Sequence, residues 1–327
     1  MRIGLLSVLF LSGLLSSPAL AVESQGHRGA RGLLPENTLP GFARALSIGV
    51  NVLELDTGIT ADGVVVVGHD RRLSPAITRD ADGNWLAKPT PLLKELTAAQ
   101  LAAFDVGRID PASRYARRFP DQQPLDGTHM PELRAVFDLV RRAGAGTVGF
   151  NIETKLHPEA AGDTVTPERF ATLVVAEIRR AGLLERTTLQ SFDWRTLQHA
   201  QRLAPGLRTA YLSAERRWLN NIRRGQAGAS PWTAGFDIDA HASLPAMIKA
   251  AGGAIWSPYH RDLKDDDLRA AQSLGLEVIV WTVNDPDDMR ALIARGVDGI
   301  ITDYPDRLRT VLEDLGKLLP RAYPVTP

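Results

Sequence analysis

Residues 148–203 read VGFNIETKLHPEAAGDTVTPERFATLVVAEIRRAGLLERTTLQSFDWRTLQHAQRL. Val148–Glu153 is a short β-rich run, and Pro167–Arg180 carries apolar residues at helical spacing and stops at Ala181-Gly182. Thr188–Phe192 and Trp194–Leu203 repeat the pair. Proline in the first turn and glycine past the last punctuate a helix. Strand, helix, strand, helix at these lengths is a βαβ unit, and its strands are parallel.

The alternation continues in both directions. Further strands centre on Ser24–His27, Val52–Asp56, Arg208–Leu212, Ala254–Ser257, Val278–Thr282 and Gly299–Thr302. Further helical patterns cover Thr38–Leu46, Pro131–Arg142, Asp265–Ser273, Pro286–Ala294 and Asp306–Leu315. Eight alternations predict an α/β fold closed as a (β/α)8 TIM barrel. One segment departs from it. Ala61-Asp62-Gly63 joins Leu53–Thr60 to Val64–Gly68, and so short a turn makes an antiparallel hairpin. The hairpin would bring His69 back to the barrel mouth. Residues 71–130, with a helix near Leu93–Phe104, and residues 213–244, with Trp218, Trp232 and Phe236, read as insertions.

Composition narrows the function. The 327 residues are 44% hydrophobic and 23% charged, as in an ordinary globular protein. Lys+Arg and Asp+Glu both number 38, so no basic excess points to nucleic acid. With no cysteine, thiolate catalysis, disulfides and cysteine-held metals are excluded. Arg2, the apolar run Ile3–Leu15 and Ala19-Leu20-Ala21 read as a signal peptide cleaved after residue 21. The expectation is an exported protein, periplasmic in a Gram-negative host and secreted otherwise, with no stable membrane anchor after cleavage. Residues 22–327 would form one domain. The oligomeric state is not legible.

The chemistry-bearing residues gather at strand ends. They are Gly26-His27-Arg28-Gly29-Ala30 with Pro35-Glu36-Asn37-Thr38, Glu54-Leu55-Asp56 with Gly68-His69-Asp70, Asn151-Ile152-Glu153-Thr154-Lys155, and Trp281-Thr282-Val283-Asn284. Barrel enzymes place their sites at the carboxyl ends of the strands. Residues i and i+2 of a strand share a face. Glu54 therefore points with Asp56, and Glu153 with Asn151 and Lys155. Three converging carboxylates repel one another unless a divalent cation joins them. All-oxygen ligands suit Mg²⁺, Ca²⁺ or Mn²⁺. His27 and His69 can serve as a general acid and a general base. Arg28 and Lys155 would grip a phosphate or, more plainly, neutralise the carboxylates.

Weaker candidates surround these. Asn37 reads as the cap of the helix at Thr38, and Glu36 as a support for the site. Trp281, Ser191-Phe192 and Tyr259-His260 follow strands and are candidate pocket walls. Asp80-x-Asp82-Gly83 lacks the rest of a calcium loop and reads as a polar turn. Lys264–Asp267 reads as a charged helix start. His129, His157, His199 and His241 suggest no role.

Taken in order, His-Arg-Gly-Ala with Pro-Glu-Asn-Thr, Glu-x-Asp, His-Asp, Ile-Glu-x-Lys, Trp-Thr-Val-Asn and the final Gly-Ile-Ile-Thr-Asp at Gly299–Asp303 resemble the glycerophosphodiester phosphodiesterase family. Each motif is weak alone; six in order are specific and span nearly all of residues 22–327. The resemblance implies a (β/α)8 barrel that hydrolyses glycerophosphodiesters, a small-molecule substrate, to sn-glycerol 3-phosphate and an alcohol. It implies a divalent cation on Glu54, Asp56 and Glu153, His27 and His69 as the acid–base pair, and Arg28 and Lys155 on the phosphate. It also implies a cyclic phosphate formed by the glycerol 2-hydroxyl and then opened by water. Departures are small: Gly68 stands where the family often has a larger residue, Thr57 where valine is common, and Thr154 where isoleucine is common.

Other readings stay open. A lysophospholipase D or sphingomyelinase-D-like enzyme would share the histidines and carboxylates but need an apolar groove, for which residues 213–244 are the place to look. A two-carboxylate glycoside hydrolase leaves the histidines, Arg28 and Lys155 unexplained. A non-catalytic phosphodiester-binding protein would keep the site without turnover.

Overall fold

The computed structural model describes residues 22–327; the signal-peptide reading lies outside the described residues. Eight strands close into a parallel barrel. They are β1 (Glu23–Gly26), β2 (Val52–Ile59), β4 (Gly149–Thr154), β5 (Thr187–Ser191), β6 (Arg208–Ser213), β9 (Ile255–Pro258), β10 (Glu277–Val280) and β11 (Gly299–Thr302). Each pairs in parallel with the next, and β11 returns to β1, which also pairs with β2. The expected hairpin strand is β3 (Val65–Val67), antiparallel to β2 with Thr57 opposite Val67.

The helices sit outside the strands, and local chemistry sets their ends. In α4 (Pro167–Arg180), Thr166 accepts from the Arg169 amide and Pro167 opens the first turn. Phe170, Ala171, Val174, Val175 and Ile178 are its buried stripe. In α8 (Pro286–Arg295), Asp285 caps the start and Gly296 ends the helix at φ +89°.

Alternation separates two cores. Leu53, Leu55, Ile152, Val278 and Val280 face the helices. Ala210, Ile255, Ile279 and Ile301 fill the barrel interior, with Trp281 above them. The polar residues on the inner face of β2 and β4 are therefore enclosed by strands, and register sets Asp56 beside Glu153.

Three local expectations change. The segment Leu93–Phe104 is not one helix. A 3-10 turn (Leu93–Glu95) is followed by α2 (Ala98–Leu101), because Thr97 and Gln100 form a capping box that starts a new helix. Leu93 and Leu101 pack with Val66 and Leu73 in a small satellite core, which ties the 71–130 excursion to the hairpin. A helix without an expected counterpart, α6 (Leu244–Ala250), precedes β9 and is capped by Ser243. Within 213–244, Glu215–Arg216 (β7) and Leu219–Asn220 (β8) form a second hairpin with Arg217-Trp218 at its turn. Among the described residues, no helix is long and apolar enough to cross a membrane.

Candidate active site

The turn after β1 is built by unusual backbone. A Cβ on Gly26 would lie 2.3 Å from the Gly29 carbonyl oxygen, so only glycine fits there. Arg28 adopts φ +51° and Gly29 φ +85°. A left-handed arginine is uncommon, and such strain marks places where the surroundings dictate conformation. Here it aims the Arg28 amide at Glu54 Oε2, 2.9 Å away. The buried Arg28 guanidinium reaches Glu36 through Nη1 at 2.6 Å and lies 3.1 Å from Asp56 Oδ2 through Nε.

Asn37, with φ +56°, does not cap the following helix. Thr38 itself caps α1 (Leu39–Ile48), accepting from the Gly41 amide. That frees the Asn37 side chain to donate to Asp56 Oδ2 at 2.9 Å and accept from the Asp56 amide.

Glu54, Asp56 and Glu153 converge as the alternation predicts. Each offers an oxygen within 4.8 Å of the others, and all three are buried. Gln190 donates to Glu54 Oε1 at 2.7 Å. The Lys155 Nζ donates to Glu153 Oε1 at 2.7 Å and lies 3.5 Å from Asp56 Oδ1. Burial and the two neighbouring carboxylates raise the Glu54 pKa well above the ordinary value. Burial pushes Glu153 up to about 7 against the opposing Lys155 charge. At Asp56 burial works against ionisation, but Arg28 and Lys155 outweigh it and the pKa falls well below the ordinary value. Asp56 Oδ1 is buried with no hydrogen-bond partner. An orphaned carboxylate oxygen inside an all-oxygen donor set fits a hard divalent cation.

Both histidines line the cavity at this mouth. The His27 Nδ1–H donates to Asp303 Oδ1 at 2.6 Å, and Nε2 faces Glu54 Oε2 at 3.9 Å. Arg31 clamps Asp303 through Nε at 2.7 Å and Nη2 at 3.0 Å. Asn284 donates to Asp303 Oδ2 and accepts from the Asp303 amide. Burial and the Arg31 charge push His27 down to about 4. His69 donates from Nδ1 to Asp70 Oδ1 at 2.7 Å. Desolvation in the mouth, with Arg28 and Lys155 nearby, lowers its pKa as well. Each histidine thus turns Nε2 away from its carboxylate. The space beside Gly68 is filled by Met130, whose Cε would lie 2.8 Å from an added Cβ.

The family model for glycerophosphoryl diester phosphodiesterases matches residues 27–307. The chain belongs to this family. A crystal structure from Silicibacter pomeroyi DSS-3, assigned as a glycerophosphoryl diester phosphodiesterase, is 40% identical with a TM-score of 0.80, covering 91% of this chain and 95% of that one. The glycerophosphodiester phosphodiesterase of Caldanaerobacter subterraneus is 28% identical over 283 residues, 86% of this chain and 94% of its own. An Oleispira antarctica phosphodiesterase, solved with the product sn-glycerol-3-phosphate, shares the fold at a TM-score of 0.65 and 20% identity, over 90% of this chain and 97% of that one.

Among the weaker candidates, Trp281 and Tyr259 line the enzyme's cavity, as do Phe192 and Glu36. Ser191 does not: it is fully buried, donating to the Thr154 carbonyl and accepting from the Asp193 amide. Its neighbours Gln190 and Phe192 reach the cavity instead, as alternation requires. Thr154 points away from the site, toward Thr196. Residues that sequence reasoning left without a role also stand here. Asp303 and Asn284 belonged to quoted motifs, and Asp70 adjoins His69. Arg31 and Tyr115, which bonds Glu36 and Arg31, gave no local signal. His157 also lines the cavity, packed edge-on against Trp232.

Proposed function

We propose that the enzyme hydrolyses glycerophosphodiesters to sn-glycerol 3-phosphate and an alcohol, with His27 and His69 as its acid–base pair. The observation that carries this reading is the matched holding of the two rings. Asp303 and Asp70 each accept from Nδ1, leaving both Nε2 atoms for proton transfer in one cavity with Glu54 and Glu153 of the carboxylate triad. A carboxylate on Nδ1 fixes the tautomer and steadies the imidazolium when it forms.

The reading follows the in-line logic of phosphoryl displacement. One histidine takes the proton of the glycerol 2-hydroxyl, whose oxygen attacks phosphorus. The other gives a proton to the departing alcohol, and water opens the cyclic phosphate with the roles reversed. Lys155 and Arg28 lend positive charge near the phosphate, although Arg28 acts mainly through Asp56 and Glu36, to which it is tied. Glu54, Asp56 and Glu153 would hold Mg²⁺ or Ca²⁺, with Mn²⁺ a third candidate. Such a cation supplies Lewis-acid stabilisation of charge on the phosphoryl oxygens. Residues 22–327 serve as one catalytic unit, exported by the amino-terminal segment to the periplasm of a Gram-negative host or outside the cell otherwise.

The test is release of glycerol 3-phosphate from glycerophosphocholine by the purified protein, with Mg²⁺, with Ca²⁺ and with EDTA. Release that needs a cation and is lost in His27→Ala supports the reading. No release by folded protein with either cation overturns it. Sequencing the amino terminus of protein recovered from the periplasm checks export, and a terminus still at Met1 speaks against cleavage.

A further inference from the structure

The Arg31 guanidinium stands between two acceptors. Its Nη2 donates to Asp303 Oδ2 at 3.0 Å and also lies 3.1 Å from His27 Nδ1. A guanidinium has donors and no acceptor. Held on Asp303, it leaves that carboxylate to receive the Nδ1 proton, and His27 Nε2 keeps its lone pair. Turned onto Nδ1, it would claim the lone pair there and drive the ring proton to Nε2. Nε2 could then no longer accept a proton. The tautomer of His27 therefore depends on where one guanidinium is held.

The holding comes from the 71–130 excursion. The Tyr115 hydroxyl accepts from Arg31 Nη1 at 3.2 Å and donates to Glu36 Oε2. A hydroxyl has one proton and two lone pairs, so it fits between a cation and a carboxylate. Phe119 presents its ring to the guanidinium, with the centroid 4.7 Å from Arg31 Cζ, and meets the Tyr115 ring edge-on at 5.1 Å. The ring quadrupole attracts a cation most where water is excluded, and Arg31 and Phe119 are both buried. Gln122 donates to the Arg31 carbonyl at 2.7 Å, and the Gln123 amide to the Leu33 carbonyl at 2.9 Å. One short stretch, 115–123, thus grips both the side chain and the main chain of Arg31.

The same hydroxyl reaches toward the carboxylate triad. Glu36 accepts from Arg28 Nη1 at 2.6 Å, and Arg28 Nε lies 3.1 Å from Asp56 Oδ2. A single oxygen on the excursion joins the chain that fixes His27 to the chain that fixes Asp56.

We infer that residues 115–123 are a positioning clamp that selects the His27 tautomer, with Tyr115 as its decisive residue, an inference that rests on the proposed acid–base role of His27. By keeping Arg31 on Asp303, the excursion completes an arm that β1 and β11 only begin. Tyr115 also lines the cavity. Direct contact with substrate is the competing account, and it places the loss in KM rather than in the state of the ring.

The experiment compares wild type, Tyr115→Phe and Phe119→Leu in the purified full chain. Tyr115→Phe keeps the ring and its packing and removes only the hydroxyl. A displaced catalytic group can cost up to about a hundredfold, so with saturating Mg²⁺ or Ca²⁺ the Tyr115→Phe kcat for glycerophosphocholine should fall about tenfold, with KM unchanged. The ¹⁵N shifts of the imidazole nitrogens at neutral pH, assigned by the signals lost in His27→Asn, read the tautomer. Wild-type His27 should carry its proton on Nδ1. In Tyr115→Phe its two nitrogen shifts should approach each other as the other tautomer mixes in, while His69 stays as it was. Phe119→Leu should act in the same direction and more weakly. A general disturbance of the fold would move both histidines and overturns the clamp. So does a raised KM with the His27 shifts unchanged, which makes Tyr115 a substrate contact. Wild-type protein that turns over no glycerophosphocholine overturns the proposed reaction, and the His27 shifts still decide the clamp.

Discussion

His27 and His69 are held by one device in two settings. On the His27 arm the partner carboxylate, Asp303, lies 276 residues away in sequence and is itself fixed by Arg31 and Asn284. The Asp303 and Arg31 side chains are only 2% and 5% exposed. On the His69 arm the partner is the next residue, Asp70, whose side chain is half exposed. One arm is part of the barrel wall; the other is carried on the hairpin. Preorganisation by tertiary contacts over-determines the first ring, whereas a neighbouring contact and the packing of Met130 on Gly68 position the second.

Removing what the two arms share should have the largest effect. Glu153→Ala, or chelation, should lower kcat by roughly 10³-fold or more, because several kcal/mol of charge stabilisation leave with the cation. Steady-state assays before and after EDTA, with cation added back, check this. Recovery on add-back separates loss of the ion from loss of the fold.

The next effect divides the arms. Asp303→Asn should cost about 10²–10³-fold in kcat, since an amide cannot hold the His27 tautomer or steady its imidazolium. Asp70→Asn should cost about tenfold, because solvent reaches that position. Stability should divide in the same way. Asn at 303 leaves Arg31 buried without its counter-charge, at about 3–5 kcal/mol, whereas the exposed His69–Asp70 pair is worth under about 1 kcal/mol. Urea denaturation of both variants measures the difference. Equal losses in the two variants would break the comparison.

The same contrast explains what could be read without the structure. The barrel follows from local punctuation: Pro167 and Gly182 bracket a helix, and Val148–Glu153 and Thr188–Phe192 flank it. Period-two alternation orients Glu54, Asp56 and Glu153, because a strand leaves a side chain only two faces. Alternation also decides Ser191, and the error there lay in registering the strand end by one residue. The support of His27 was hidden because it is tertiary. Nothing near Arg31 in sequence announces Asp303, and Tyr115 arrives from an excursion without regular elements. Asn37 misled because a residue before a helix is ordinarily a cap. Thr38 had already taken that task, and the left-handed φ at Asn37 turned its amide toward Asp56.

A smaller effect belongs to the triad between the arms. With Glu153 at about 7, the empty site holds a proton there below neutrality. A cation held by the triad would bind the ionised carboxylates, so affinity should rise with pH through this range. Below about pH 7 it should fall by at least about tenfold for each unit, because Glu153 gives up a proton on binding and Glu54, raised as well, holds another. Calorimetric titration of the protein with Mg²⁺ or Ca²⁺ in buffers of different ionisation enthalpy reads both the affinity and the proton. Affinity independent of pH between 5 and 7 would remove Glu153 from the ligand set or require its pKa to be ordinary.

The smallest effect tests whether the His69 arm tolerates change that the His27 arm cannot. Gly26→Ala would drive a Cβ into the Gly29 carbonyl, a backbone atom that is tied to the Arg28 turn and cannot yield. Gly68→Ala meets only the end of Met130, a flexible thioether that can re-pack. The alanine at 68 should therefore fold with a loss of roughly 1 kcal/mol or less and lower kcat only a few-fold, through a slight displacement of His69. Shortening Met130 to alanine in the same chain should relieve the crowding and return kcat toward the original value, although the lost packing lowers stability. If Gly68→Ala instead abolishes activity and the shortened Met130 does not restore it, then His69 is held as rigidly as His27, and the difference between the arms lies only in exposure.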